Sequence, residues 1–348
     1  MRLGLLDIGS NTAQLQVVDA QCGGPPLPAY TRKEPTLLGE AFDATGAIVA
    51  GGVDRLVLAV GRTLRAAHEF GVDELYVFVT AAVRDATNRE SILDRLEAEC
   101  GARPQFLTGE DEARLTYLAA HSWYGWSAGR LLVLDIGGGS MEIALGRGDD
   151  PELALSLPLG AGRLTRQFLP DERPSAGQLK AVRKHVEVTL REVGDRLRWE
   201  APPDLVVATS KTFKQLARLA GAPPQRRGPF VRRTLATADL AKWIPRLAEL
   251  RVAERARLRG VSRSRARQVV AGAVTANATM RALRVRRVDI SPWALREGII
   301  LRRLQTMTEG RPVLRLYPLR TDRGADVHHI GARQKDQGAA LTTVPLRR

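Results

Sequence analysis

LLDIGSNTAQL at residues 5–15 and VLDIGGGSMEI at residues 133–143 lie on one another when the chain is shifted by 135 − 7 = 128 residues. Asp7 falls on Asp135, Ile8 on Ile136, Gly9 on Gly137, Thr12 on Ser140 and Gln14 on Glu142. Each copy is an apolar run ending in an acid, then a glycine turn, then a second apolar run, which reads as strand, turn, strand. Self-similarity of this kind predicts a duplicated unit. A carboxylate at a strand end beside a Gly-rich turn gathers an acid and several backbone N–H groups in one small volume. The N–H groups suit phosphate oxygens, and the acid suits a divalent cation bridging to them. No GxxxxGK[ST] occurs and neither turn matches GxGxxG opening a helix, which disfavours P-loop and dinucleotide chemistry. One such turn also suits any tight hairpin; its repetition carries the phosphate reading.

Outward from these turns, residues 52–70 place Val53, Leu56, Val57, Val60, Leu64 and Ala67 at helical spacing, and ELYVFVT at 74–80 reads as a buried strand. Helices are expected from Asn88 to Glu99 and from Gly109, where Glu110, Asp111 and Glu112 crowd the first turn. The pattern breaks at WYGWSAG (123–129), so the domains are expected at 1–127 and 128–312, with the helix near 293–307 packing back on the first. In the second half a strand is expected at 205–209, with helices at 160–168, 176–197, 211–220, 240–250, 265–283 and 293–305. A basic tail at 313–348 lacks periodicity and reads as flexible. Strands alternating with helices make the class α/β.

The chain has 348 residues, enough for two domains, and a formal charge of +15, which fits a polyanionic partner or substrate. Two cysteines, Cys22 and Cys100, make no disulfide framework and fit a reducing compartment. Asp7 interrupts the first apolar run too early for a signal peptide, and no apolar run reaches membrane-spanning length, so the expectation is a soluble cytoplasmic protein without membrane contact. Eleven arginines and one acid fall within 251–287. The apolar residues between them predict a helix whose arginine face lines a track for an anionic chain, or else a solvated face. Aromatic residues are not interleaved there, which argues against nucleic acid as a partner. His68, His121, His185, His328 and His329 show no metal-ligand spacing, and Trp123 and Trp126 read as packing.

DIGSNT (7–12), TAAVRDATN (80–88), GEDEARLTYL (109–118), DIGGGSMEI (135–143), LPLGAGRLT (157–165) and ISPWALREGI (290–299) occur in an order that resembles the exopolyphosphatase and guanosine pentaphosphate phosphatase family, in its short two-domain form. The resemblance implies duplicated ribonuclease H-like domains of the actin-like ATPase superfamily, with an active site in an interdomain cleft. It implies that Glu112 is the catalytic base; acids at a helix start otherwise only complement its dipole. It implies Asp7, Asp135 and Glu142 as ligands of Mg²⁺ or Mn²⁺, and Ser10, Asn11, Thr12, Gly137, Gly138, Gly139 and Ser140 as phosphate donors. Arg84 resembles a phosphate-gripping arginine; its alternative is a structural ion pair with Asp85 or Glu90.

Two departures from the family pattern stand out. Where a glycine-rich turn is common after strand LVVAT, this chain has Ser210, Lys211 and Thr212, and Met141 replaces a small hydroxyl residue. Lys211 at a helix start suits phosphate, favouring inorganic polyphosphate over a purine nucleotide. The expected activity is therefore metal-dependent release of terminal orthophosphate from polyphosphate by a homodimer. Guanosine pentaphosphate 5′-phosphatase activity and a non-catalytic polyphosphate or alarmone sensor are the alternatives.

Overall fold

The computed structural model describes residues 1–21, 24–194 and 201–309, and beyond them the strands Leu314–Leu316 and Leu341–Pro345. The chain forms two compact units, one of Met1–Thr108 with Ile299–Arg348 and one of Gly109–Gly298.

In the first unit, β1 (Arg2–Ile8) and β2 (Thr12–Asp19) form the expected hairpin, and β3 (Pro28–Pro35) adds a third antiparallel strand. Helix α1 (Ala50–Glu69) then returns the chain so that β4 (Glu74–Val79) lies parallel to β1 on its other side. The apolar stripe of α1, from Val53 to Ala67, is buried against β1 and β2 side chains such as Leu6, Leu15 and Val17. Two short helices, α2 (Ala81–Arg84) and α3 (Arg89–Cys100), lead to β5 (Gln105–Phe106), which pairs with the end of β4.

The second unit repeats this order. Strands β6 (Leu131–Ile136), β7 (Met141–Gly146) and β8 (Leu153–Leu157) are antiparallel, α5 (Ala161–Phe168) and α6 (Ala176–Thr189) follow, and β9 (Leu205–Ala208) lies parallel to β6. Beyond it come α7 (Ser210–Leu219), β10 (Thr234–Ala236), α8 (Thr237–Glu249), α9 (Val252–Arg255), α10 (Val269–Ala282) and β11 (Arg287–Ile290). The sheet runs β10-β11-β9-β6-β7-β8.

Three expectations change. Helix α4 (Gly109–Tyr124) belongs to the second unit, so the division falls at 108/109 rather than at 127/128. Its Ala113, Tyr117 and Ala120, spaced along one face, are buried with Val133, Ala144, Ala154 and Val207 of β6 to β9. The glycine-rich break at 123–129 is only the exit from that helix. Helix α11 (Leu295–Glu309) passes into the first unit at Ile299, where Arg303 grips Glu74 through two bonds of 3.0 and 3.1 Å. Within the tail taken as flexible, β13 (Leu341–Pro345) pairs antiparallel with β4 and β12 (Leu314–Leu316) pairs with β13; 313, 317–340 and 346–348 lie outside the described residues, as do Cys22, His328, His329 and residues 195–197 of the helix expected at 176–197. Finally, α10 is no arginine-faced track: every residue from Val269 to Met280 is buried, and it is the central helix of the second core. Apart from Arg281, exposed in its last turn, the arginines stand on the segments flanking it.

Candidate active site

The duplicated turns adopt one geometry. Gly9 N–H donates to Thr12 O (3.0 Å) and Gly137 N–H to Ser140 O (2.9 Å), closing each hairpin in the same way. In the second turn the carbonyls of Gly137 and Gly138 accept from the N–H groups of Ala161 and Arg163 (3.0 and 2.9 Å), and Gly139 O accepts from Arg163 Nε (2.9 Å). In the first, Gly9 O accepts from Thr36 Oγ1 (3.0 Å), Ser10 O from Gly39 N–H (3.0 Å), and Asn11 O from the N–H groups of Thr36 and Leu37 (3.1 and 3.4 Å). A trans peptide directs its C=O and N–H oppositely. With three successive carbonyls held from one side, the amides of Gly138, Gly139 and Ser140, and of Ser10, Asn11 and Thr12, face the other side. Amides arranged so suit an anion, and in each unit the turn is fixed by the segment that follows the third strand.

The acids differ between the copies. Asp135 lies directly opposite Glu142, and Glu142 directly opposite Ser156, in the β6–β7–β8 register. Opposed residues share a face, so the three side chains form one row across the sheet. Ser156 Oγ donates to Glu142 (2.9 Å), and the Thr209 hydroxyl donates to Asp135 Oδ2. In the first unit Asp7 is opposed by Gln14, an amide. Burial pushes the Asp135 carboxyl above the usual carboxylate range, while the Thr209 hydroxyl and the charges of Lys214, Arg265 and Arg296 pull it back. Burial likewise lowers the Lys214 ammonium, against the pull of Glu297 and Asp135.

Helix α4 covers this row. A Cβ on Gly109 would lie 2.3 Å from Ser156 Cβ, so the helix starts in direct contact with β8 and only glycine fits. Glu112 is three residues further on, hence on the same helix face. It is buried, whereas Glu110 is exposed and pairs with Arg114 at 2.7 Å. Of the three acids at this helix start, Glu110 serves the surface and Glu112 turns inward.

Arg84 sits after β4, where Thr80 N–H meets Ile8 O (3.2 Å). Its Nε pairs with Asp85 (3.1 Å) and its Nη1 donates to Leu107 O (3.1 Å). Lys211 is exposed at the first turn of α7; Lys214, one turn on, enters the Asp135 environment and donates to Pro292 O (2.9 Å). Ser210 holds a left-handed φ of 60°, the conformation a glycine would otherwise supply. Thr209, Lys214, Arg265, Ser156 and the Gly160–Arg163 clamp were not legible as site residues, although the last lies within the quoted LPLGAGRLT.

Among the described residues no group of three or more His, Cys, Asp or Glu side chains gathers to hold a metal ion. Asp7 stands in the first unit; Asp135 and Glu142 stand in the second. Two opposed carboxylates beside outward-facing amides nonetheless suit a magnesium-like ion, which keeps several waters and takes its remaining ligands from substrate phosphates.

The chain matches the Ppx/GppA phosphatase family over residues 17–307. It is 47% identical over 340 residues to exopolyphosphatase 1 of Mycobacterium tuberculosis, covering 98% of each chain. The crystal structure of the Aquifex aeolicus Ppx/GppA family member superposes with a TM-score of 0.72 at 27% identity, over 89% of this chain and 99% of that one. An exopolyphosphatase structure from Cytophaga hutchinsonii shares the fold at a TM-score of 0.79 and 22% identity, over 89% and 98% of the two chains. The fold is thus the two-domain α/β type of the actin-like ATPases.

Proposed function

Because this chain belongs to the Ppx/GppA phosphatase family, we propose that it is an exopolyphosphatase, a hydrolase that releases terminal orthophosphate from linear inorganic polyphosphate with Mg²⁺ or Mn²⁺. The observation that carries the reading is the row Asp135–Glu142–Ser156 under the α4 turn that presents Glu112, beside a turn whose amides face outward.

In this reading the amides of Gly138, Gly139 and Ser140 hold non-bridging phosphate oxygens, and in the first unit those of Ser10, Asn11 and Thr12, with Arg84, are a phosphate-holding set of their own. Asp135 and Glu142 hold the divalent ion, which when bound neutralises phosphate charge. The Thr209 and Ser156 hydroxyls fix those two carboxylates, and Lys214 and Arg265 balance Asp135. Glu112 accepts the proton of the attacking water as its oxygen bonds to the terminal phosphorus, and the P–O bond to the penultimate phosphate breaks. The chain leaves one phosphate shorter. Phosphoryl transfer needs little beyond such positioning and charge neutralisation.

The accompanying assignments are a cytoplasmic homodimer, in line with the family resemblance and with two cysteines that form no framework. No helix among the described residues is long and apolar enough to cross a membrane. The test is phosphate release with Mg²⁺ from polyphosphate and from guanosine pentaphosphate, for the native protein and Glu112→Gln. Loss of roughly 10²- to 10⁴-fold in kcat with polyphosphate binding retained is expected. Binding without turnover by the native protein would make it a sensor instead, and faster release from guanosine pentaphosphate would reverse the substrate assignment.

A further inference from the structure

We propose that four arginines at the far end of α7 form a cradle for the trailing part of a polyphosphate chain whose terminus lies at the 137–140 turn; the proposal rests on the hydrolase reading above. Arg218 is in the last turn of α7, Arg226 and Arg227 are exposed in the 3₁₀ turn Gln225–Arg227, and exposed Arg259 precedes Gly260. A Cβ on Gly260, at φ +94°, would fall 2.4 Å from Arg218 Cγ, so the backbone carrying Arg259 lies on the Arg218 stem. Desolvation and the like charges of Arg259, Arg226 and Arg227 hold the Arg218 guanidinium below its usual range. None of the four forms an ion pair with a described residue.

The loop is held in one conformation by a buried cation. Arg233, only 4% exposed, donates to the carbonyls of Pro223 (2.9 Å), Pro224 (2.7 Å), Gly228 (3.0 Å) and Val231 (2.7 Å). Arg218 Nη1 adds a bond to Ala222 O at 2.8 Å. Like charges fixed together without acids destabilise the folded state, and a polyanion relieves them. Lys211 and Arg218, seven residues apart, share a face of α7, whose ten residues span about 15 Å. That face runs from the helix start, just after the Thr209 hydroxyl that donates to Asp135, to the cradle. The aromatic residue nearest the loop in sequence, Phe230, is stacked on Trp123 with ring centroids 5.2 Å apart rather than interleaved with the arginines, which favours an inorganic chain over a single-stranded nucleic acid.

The test compares the native protein with Arg226→Ser/Arg227→Ser, both at exposed positions, using long-chain polyphosphate, tripolyphosphate and a single-stranded RNA. Each phosphate contact contributes about fourfold at 0.15 M salt, so KM for the long chain should rise roughly fifteenfold, with kcat unchanged and the salt slope reduced by roughly 1.4. Tripolyphosphate, too short to reach the cradle, should be hydrolysed as before. Equal effects on both chain lengths, or none on the long chain, would overturn the cradle. Loss of RNA binding without loss of long-chain affinity would reassign it to nucleic acid and overturn it too. Should the native protein hydrolyse neither chain yet bind the long one through Arg226 and Arg227, the cradle stands and the hydrolase reading falls.

Discussion

Gly160→Ala isolates the clamp behind the 137–140 turn. Gly160 has φ −67° and ψ 143°, values any residue adopts, so the substitution introduces no backbone strain. It introduces a methyl group where none fits. The new Cβ would lie 2.3 Å from Gly139 C, 2.5 Å from Gly139 N and 2.4 Å from Ser140 N, all backbone atoms of the turn. Reaching ordinary contact near 3.4 Å means a shift of roughly 1 Å, and displacement of that size at a positioning element costs on the order of 10²-fold in rate. Overpacking should also cost about 1–3 kcal/mol of stability. The assay is steady-state phosphate release from polyphosphate alongside thermal unfolding. Gly148→Ala serves as the control, since a Cβ there meets nothing within 4 Å. A Gly160→Ala enzyme with kcat/KM within threefold of native and an unchanged Tm would refute the idea that this contact positions the turn.

Removing the donor to Glu142 with Ser156→Ala should lower kcat/KM roughly tenfold and raise the Mg²⁺ concentration needed for half activity, as a charge-assisted hydrogen bond is lost; a Mg²⁺ titration that overlays the native curve would contradict this. Arg303→Met leaves Glu74 without its two-bonded partner where both side chains are more than four-fifths buried. A loss of about 2–3 kcal/mol should appear as a Tm lower by roughly 5–10 °C with kcat preserved in the folded enzyme, and an unchanged Tm would show that the pair contributes nothing. Ser210→Gly relieves about 1 kcal/mol of left-handed strain and returns part of it as chain entropy. Its Tm should not fall, and a drop of several degrees would mean that the Ser210 hydroxyl matters more than its backbone.

What could be read from the residues was whatever follows a period or a repeat. The hairpins at Asp7 and Asp135, the α1 stripe and the strand at 74–79 all declared themselves by spacing, and the offset of 128 residues already matched Asp7 to Asp135. Contacts set by tertiary approach left no such trace. PAYTRKEP carries no hydrophobic period because β3 is an edge strand with few buried positions. Thr209 and Ser156 are ordinary strand-end residues until β9 and β8 bring their hydroxyls to Asp135 and Glu142. Lys211 stands out over Lys214 in the sequence because a helix start is a visible landmark, while the inward face of α7 is settled by packing.

The asymmetry between the two copies bears directly on where the chemistry resides. Both turns have their carbonyls tied back, so in both the amides face away from that clamp. Only the second opposes its strand-end aspartate with another carboxylate, Glu142, and only there does a helix start bring a further buried acid, Glu112, over the same row. The first copy opposes Asp7 with Gln14, which cannot lend a second negative charge to a cation. Under this reading duplication was followed by division of labour. If the first unit retains phosphate contacts while the second holds the cation and the base, Gln14→Glu should tighten Mg²⁺ binding far more readily than it raises turnover.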